Sequence, residues 1–338
     1  MMLRTLLTGA ALAAFAVSGA VAQEITLRIQ THFSSESGNG KNAAQFFDDI
    51  QVMSGGRITV EPFFSSAVVK STETFDAAIN GILDGDMTGG AYQTGKDPAF
   101  QFVGDPMGGY DTPWQMYAFL YNGGGLEVAR ELYAEYNMYL VGWWIPGQES
   151  LSSSEPIPGP AALKDWKFRS PPGMETKIFA NMGASPIVMD FTEVFTALES
   201  GIIEGADASN IATNQSIGIY DVVQHATYPG FHSMPADHLA FNLDVWNAMP
   251  ADVQRIIEVA MQKLAFRTTL DFQVEMERAA GELAAAGITL YDWSDEDRRE
   301  FRGAAVKAWD EFATTDLAKS LVAQQKEFLG KIGLLNSQ

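Results

Sequence analysis

Two stretches of this chain repeat one another, and that constrains its fold more than any other feature. "TFDAAINGILDGDMTGG", beginning at Thr74, and "VFTALESGIIEGADASN", beginning at Val194, align at a constant offset of 120 residues. Phe75, Ala77, Gly81, Ile82 and Gly85 recur as Phe195, Ala197, Gly201, Ile202 and Gly205, while Asp84 returns as Glu204. Each copy reads as an amphipathic helix halted by a glycine, where a left-handed residue is needed. A tight turn and a short buried strand follow. The preceding segments agree: "ITLRIQ" (25–30), a helical stretch from about 40 to 54 and "RITVEPF" read as strand, helix, strand. "WKFRS" (166–170), a helical stretch from about 174 to 182 and "SPIVMDF" repeat that order. Five identities alone are a weak signal. The matching order of elements predicts two related α/β lobes.

Two such lobes set up a cleft, and ligands of open α/β sheets sit beyond the carboxyl ends of parallel strands. In "LKDWKFRSPPG" (163–173) a strand pattern runs out at Arg169, and Pro171 and Pro172 then stop it without needing backbone donors. An arginine beside a turn is ordinarily a surface residue. Its place at a strand end makes Arg169 a candidate cleft-facing charge instead. Asn210 after "GADAS" and Tyr92 after "DMTGGA" occupy comparable ends. Phe33, like Tyr92, follows a strand of the first lobe. Trp143, Trp144, Phe191 and Phe231 are further candidates for an apolar wall, with core packing as the alternative for each. His232 reads as a structural hydrogen-bond partner rather than a pH switch.

Charge and composition exclude several function classes. The 338 residues carry 22 Lys+Arg against 42 Asp+Glu, a net charge of −20. Such a chain repels phosphates, so nucleic acid is not an expected partner. Cysteine is absent, which removes disulfides, thiolate zinc sites and thiol nucleophiles. The four histidines lack metalloprotease spacing, Ser152-Ser153-Ser154 has no nucleophile-elbow context, and "GNGKNA" lacks P-loop spacing. No enzyme is expected. Residues 1–22, with Arg4, an apolar run and Ala20-Val21-Ala22, read as a cleaved secretory signal peptide. The C-terminal third reads as helical, and the apolar face of "DLAKSLVAQQKEFLGKIGLL" suits either core packing or a dimer contact.

From "MSGGRITVEPF" through "GGGLEVARELY", "LKDWKFRSPPG", "ALESGIIEGAD", "YPGFH" and "LDVWNAMPADVQ", the chain resembles the solute receptors of TRAP transporters, most of all the TakP-like 2-oxo acid and lactate receptors. The resemblance runs from about 24 to 335. It implies a two-domain periplasmic binding fold, here 23–146 with about 235–270 as domain I and 147–234 with about 271–338 as domain II. It implies a periplasmic receptor that captures a small organic acid, delivers it to two sodium-driven membrane subunits, and forms a homodimer through a C-terminal helix. The family arginine at the position of Arg169 grips the ligand carboxylate with its planar fork. Gln148, in "WIPGQES", matches a glutamine that helps hold a bridging sodium in TakP-like sites. The family's next ligands, a glutamate and the backbone carbonyl of a tryptophan, are Asn210 and Ile211 here.

Replacing that glutamate by a neutral amide would leave a bound cation uncompensated, which is costly in a desolvated cleft. The expectation is therefore a weakened or absent cation, with Asn210 donating to a ligand oxygen. The expected ligand is a 2-oxo or 2-hydroxy monocarboxylate. An aromatic or branched carboxylate is the alternative ligand, and a subunit of a signalling system the alternative role.

Overall fold

The computed structural model describes residues 24–335, and the expected signal peptide lies outside the described residues. Eleven strands occur among them: β1 (Ile25–Thr31), β2 (Ile58–Phe63), β3 (Gly85–Met87), β4 (Met138–Trp144), β5 (Leu151–Ser153), β6 (Lys167–Ser170), β7 (Ser185–Val188), β8 (Gly205–Asp207), β9 (His225–Thr227), β10 (Asp237–Asn242) and β11 (Thr289–Tyr291). They form a sheet of order β2-β1-β3-β10-β4 and a second of order β11-β9-β5-β8-β6-β7. In the first, β1 runs parallel to β2 and β3, and β10 enters antiparallel beside β3. In the second, β6 runs parallel to β7 and β8, and β5 enters antiparallel beside β8. The repeat is thus a repeat of topology. The chain crosses from the first sheet to the second between β4 and β5 and returns between β9 and β10.

The recurring residues have identifiable work in both copies. After the helices Thr74–Ile79 and Val194–Glu199, Gly81 and Gly201 take φ of +72° and +70°. The N–H groups of Gly81 and Ile82 return to the carbonyls of Ala78 and Ala77, and those of Gly201 and Ile202 return to Leu198 and Ala197. Both helices therefore end in the same paired C-cap, which a β-carbon at the glycine would strain. Gly205 admits close packing: a β-carbon there would meet the Trp166 ring at 2.2 Å and the Ser152 carbonyl at 2.6 Å. Asp84 accepts the Arg28 N–H at 2.8 Å, and Glu204 accepts the Lys167 N–H at 3.0 Å, tying each short strand to the first strand of its repeat.

The C-terminal region departs from the expected division at 270/271. Ala251–Ala285 is one unbroken helix of 35 residues, about 52 Å long, lying against β4 and the helix Gly38–Met53 of the first lobe and against the helix Ile211–Ser216 and β11 of the second. It is a spine shared by both lobes. The helix Asp316–Lys331 packs on the first lobe, where Gln325 donates to the Phe102 carbonyl at 2.8 Å and Phe328 meets Phe119 at 5.6 Å. Its apolar face is spent on that core. The spine carries exposed apolar side chains at Phe266, Leu270 and Val274, spaced four residues apart along one helical face. No helix among the described residues is long and apolar enough to cross a membrane.

Candidate functional site

The carboxyl end of β6 carries the central cation. Trp166 and Phe168 stack at 4.5 Å and are buried, which anchors the strand on one face. Arg169 is only 2% exposed. Its Nε donates to the Met189 carbonyl at 3.2 Å, and its Nη1 to the Asp207 carbonyl at 2.5 Å. The register pairs Phe168 with Gly205 as it pairs Ile29 with Gly85, so Arg169 is the repeat counterpart of Gln30. Gln30 donates to the carbonyl of Val69 at 3.0 Å, and Val69 stands 120 residues before Met189, the residue Arg169 uses. Both lobes bolt a strand end to a loop in the same way. The first lobe does it with a neutral amide whose Nε2 also donates to the Thr74 hydroxyl and whose Oε1 accepts the N–H of Val68. The second does it with a guanidinium whose Nη2 has no hydrogen bond among the described residues.

A cavity of about 50 Å³ lies between the lobes, bordered by Arg169 and by four aromatic rings, His32, Phe33, Tyr92 and Phe191. Phe33 meets His32 at 4.1 Å and Phe191 at 6.0 Å, so the rings close one wall. Arg169 is the only Arg or Lys on the border, which also holds Asp105, Glu149, Glu175 and Asp237. Burial, reinforced by the nearby Asp207 charge, pushes Glu149 and Glu175 well above the usual carboxylate range. Burial also lifts Asp105 to about 6, against hydrogen bonds from the Ser233 hydroxyl and the Met234 N–H. Asp207 is different. Burial alone would raise it, but His232, Glu175 and Arg169 hold it below its usual value.

The structure brings Phe33, Tyr92, Phe191 and Arg169 to the cavity, and places the other candidates elsewhere. Gln148 donates to the Asp111 carbonyl at 2.7 Å and borders an outer depression with Phe231. The turn at Gly147, φ +109°, and the bond from the Glu149 N–H to the Ser233 carbonyl send Glu149 inward in its stead. Phe231 stacks on Trp293 at 4.4 Å. Asn210 caps the helix Ile211–Ser216: its Oδ1 accepts the Thr213 N–H at 2.9 Å, and its Nδ2 donates to the Pro146 carbonyl at 2.8 Å. Ile211 is fully buried as the first residue of that helix. Trp143 and Trp144 are core residues behind the wall, Trp144 touching Phe33 at 5.7 Å.

Gln148, Asn210 and Ile211 do not border the cavity, and the Asn210 amide is committed at both ends. This trio does not fit a cation bridging ligand and protein. The charge count made from the sequence also omitted the four acidic side chains of the wall, of which burial holds Glu149 and Glu175 well above the usual carboxylate range. Glu149, Glu175 and Asp207 escaped notice in the sequence, and His232 reads there only as a structural hydrogen-bond partner. The available signal was an acidic residue inside apolar strand or loop segments, as Asp207 is in "GADAS" and Glu149 in "WIPGQES".

The two lobes touch through matching loops. Asp190 accepts from Ser71, Lys70 meets Glu193 at 3.1 Å, and the Gln101 side chain accepts the Met174 N–H at 2.8 Å. Among solved structures, a TRAP periplasmic solute binding protein from Rhodobacter sphaeroides in an apo open form is 32% identical, covers 92% of this chain and 100% of its own, and superposes with a TM-score of 0.73. One from Pseudoalteromonas atlantica with bound sodium and pyruvate is 21% identical, covers 92% and 95%, and reaches 0.84. Likeness in sequence and in shape therefore rank these two in opposite order. A monocarboxylate 2-oxoacid-binding periplasmic protein from Nostoc sp. is 26% identical over 317 residues, 90% of this chain and 84% of that one. Residues 29–316 match the family described as bacterial extracellular solute-binding protein, family 7 (DctP). The chain belongs to that family, the DctP-type solute-binding receptors of TRAP transporters.

Proposed function

We propose that this receptor captures a small 2-oxo or 2-hydroxy monocarboxylate between its lobes, in the periplasm, and hands it unchanged to sodium-driven membrane subunits. One observation carries this reading: Arg169 stands on the cavity border as its only Arg or Lys, with two of its nitrogens tethered to backbone carbonyls and Nη2 left over. A tethered guanidinium loses little freedom when it meets a carboxylate, and in a closed cavity the pair is desolvated. A cavity of about 50 Å³ has room for roughly four waters by the same measure. That size favours an acid of three or four carbons over the aromatic alternative. The Nostoc relative named for 2-oxoacids and the pyruvate-bound neighbour support the same class.

Ligand capture would favour the closed arrangement, since only that state surrounds the acid, and the membrane partners would read closure. A second copy of the chain would find its apolar contact on the Phe266, Leu270 and Val274 face of the spine, rather than on the last helix. Calorimetric titration of the mature protein with pyruvate, lactate, 2-oxobutyrate, succinate and benzoate tests the ligand class. Micromolar binding, about 8 kcal/mol, is expected for one or more of the first three, with the acid recovered unchanged by NMR. Binding confined to benzoate or succinate, or conversion of the acid, would overturn the reading.

A further inference from the structure

We propose that Asp237, braced by His32, selects 2-hydroxy over 2-oxo acids by accepting a hydrogen bond from the ligand hydroxyl. The inference rests on the carboxylate capture proposed above and adds which group of the acid the first lobe reads. Arg169 comes to the cavity from β6 of the second sheet. His32 follows β1 and Asp237 opens β10, both of the first sheet, and both border the cavity. Asp237 is 3% exposed and His32 4%.

The two oxygens of Asp237 face different neighbours. Oδ2 meets His32 Nε2 at 3.5 Å, longer than an ordinary hydrogen bond. Oδ1 lies beside Gly89, where a β-carbon would come within 3.5 Å of it and 3.4 Å of the Tyr92 ring. Gly89 itself borders the cavity, so its missing side chain leaves Oδ1 room for a ligand atom. The imidazole is wedged between Phe33 at 4.1 Å and Phe191 at 5.5 Å. With the Nε2 proton turned to Asp237, Nδ1 is an acceptor. That nitrogen is buried and has no hydrogen-bond partner among the described residues.

The other polar side chains of the border are committed. Asp105 accepts from the Ser233 hydroxyl and the Met234 N–H. Gln101 donates to the Asp105 carbonyl and accepts the Met174 N–H. Glu149 and Glu175, kept protonated by burial, hydrogen-bond Asp207. The Tyr92 hydroxyl, also kept protonated by burial, serves the carboxylate of either acid alike. The first lobe thus offers acceptors where the second offers Arg169. A 2-hydroxy acid gives its carboxylate to Arg169 and an O–H donor to Asp237. A 2-oxo acid sets only lone pairs against that carboxylate, and a site built to bond a hydroxyl rejects the analogue lacking it.

The test compares lactate with pyruvate, and 2-hydroxybutyrate with 2-oxobutyrate, by calorimetry on the mature protein. Each hydroxy acid should bind at least about tenfold more tightly than its oxo partner, the loss expected when a charged acceptor goes unpaired. Asp237→Asn is isosteric and supplies a donor, so it should narrow each ratio to about threefold or less, chiefly by improving the oxo acid. His32→Gln, which unbraces the carboxylate, should narrow the ratios in the same direction and stands in where Asp237→Asn fails to fold. An oxo acid bound as tightly as its hydroxy partner overturns the inference and leaves capture by Arg169 standing. Ratios unchanged in the variants do the same. Alanine bound more tightly than lactate would assign Asp237 to an ammonium group and also overturn it. If none of the four acids binds, the capture reading itself falls, and this inference with it.

Discussion

Asp190 of the second lobe accepts both the backbone N–H and the hydroxyl of Ser71 of the first, at 3.0 and 2.7 Å, through one carboxylate oxygen. Its other oxygen accepts the N–H and hydroxyl of Thr192 in its own lobe, at 3.0 and 2.8 Å. Asp190 thus caps a turn on each side of the cleft at once. The two turns are copies of each other, since Ser71-Thr72-Glu73 and Phe191-Thr192-Glu193 stand 120 residues apart. The repeat that builds the lobes also supplies the surfaces on which they meet.

Asp190→Asn separates the two roles. The amide oxygen can still cap Thr192, but an N–H group now faces the Ser71 donors. Hydrogen bonds to a charged acceptor contribute about 1.5–3 kcal/mol, so ligand affinity should fall roughly ten- to hundredfold. The melting temperature of the ligand-free protein should move little, because an open form does not use the contact. Calorimetry of the variant with whichever acid binds the unaltered protein measures this. Unchanged affinity would mean that closure does not depend on the latch.

The same carboxylate gives a pH dependence with a definite sign. Burial alone would raise Asp190, yet hydrogen bonds from Ser71 and Thr192 outweigh it and hold the carboxyl below its ordinary range. A depressed carboxylate adds stability that is fully present above its unfolded value, about 4, and is lost as pH falls through the lower folded one. With saturating ligand, so that the latch is formed, the stability difference between the unaltered protein and Asp190→Asn, read by urea denaturation, should therefore be constant from pH 7 to about 5 and shrink below about 4. A gap that widens with acid would contradict the assignment.

Arg169→Lys should fail as badly as Arg169→Ala. One ammonium cannot reach the Met189 carbonyl, the Asp207 carbonyl and a ligand carboxylate together, and Lys lacks the planar fork. A loss of at least about 100-fold in affinity is expected from removing a buried charged partner. Arg169→Gln is the informative variant. Gln30 already makes the equivalent bond in the first lobe, so this variant should keep its melting temperature within a few degrees while losing the ligand.

The lobes were legible because their signals are local. Gly81 and Gly201 mark C-caps that only neighbouring residues determine, and Arg169 followed by two prolines marks a strand end. The spine was less legible. An unbroken helix of 35 residues serves both lobes, and nothing in its periodicity says where one partner gives way to the other. The site was legible where a residue sits at the end of a strand, as Tyr92 and Arg169 do. It was illegible where a loop decides the facing, since one residue's shift in "WIPGQES" exchanges Gln148 for Glu149. Asp207 and His232 become neighbours only through pairing across the second lobe, which no spacing between them records.

That exchange makes a final contrast testable. Gln148 bonds only the Asp111 carbonyl, outside the cavity, so Gln148→Ala should leave ligand affinity within about twofold, as for other surface changes of under 0.5 kcal/mol. Asn210→Ala removes a helix cap and strands the Pro146 carbonyl in the buried crossing between lobes. It should lower stability by about 2–3 kcal/mol, the sum of a lost N-cap and an unsatisfied buried acceptor. Its effect on affinity should follow from that loosening and disappear when titrations are run at lower temperature. A large affinity loss in Gln148→Ala with stability intact would instead put its amide on the ligand, and the cavity described above would not be the binding site.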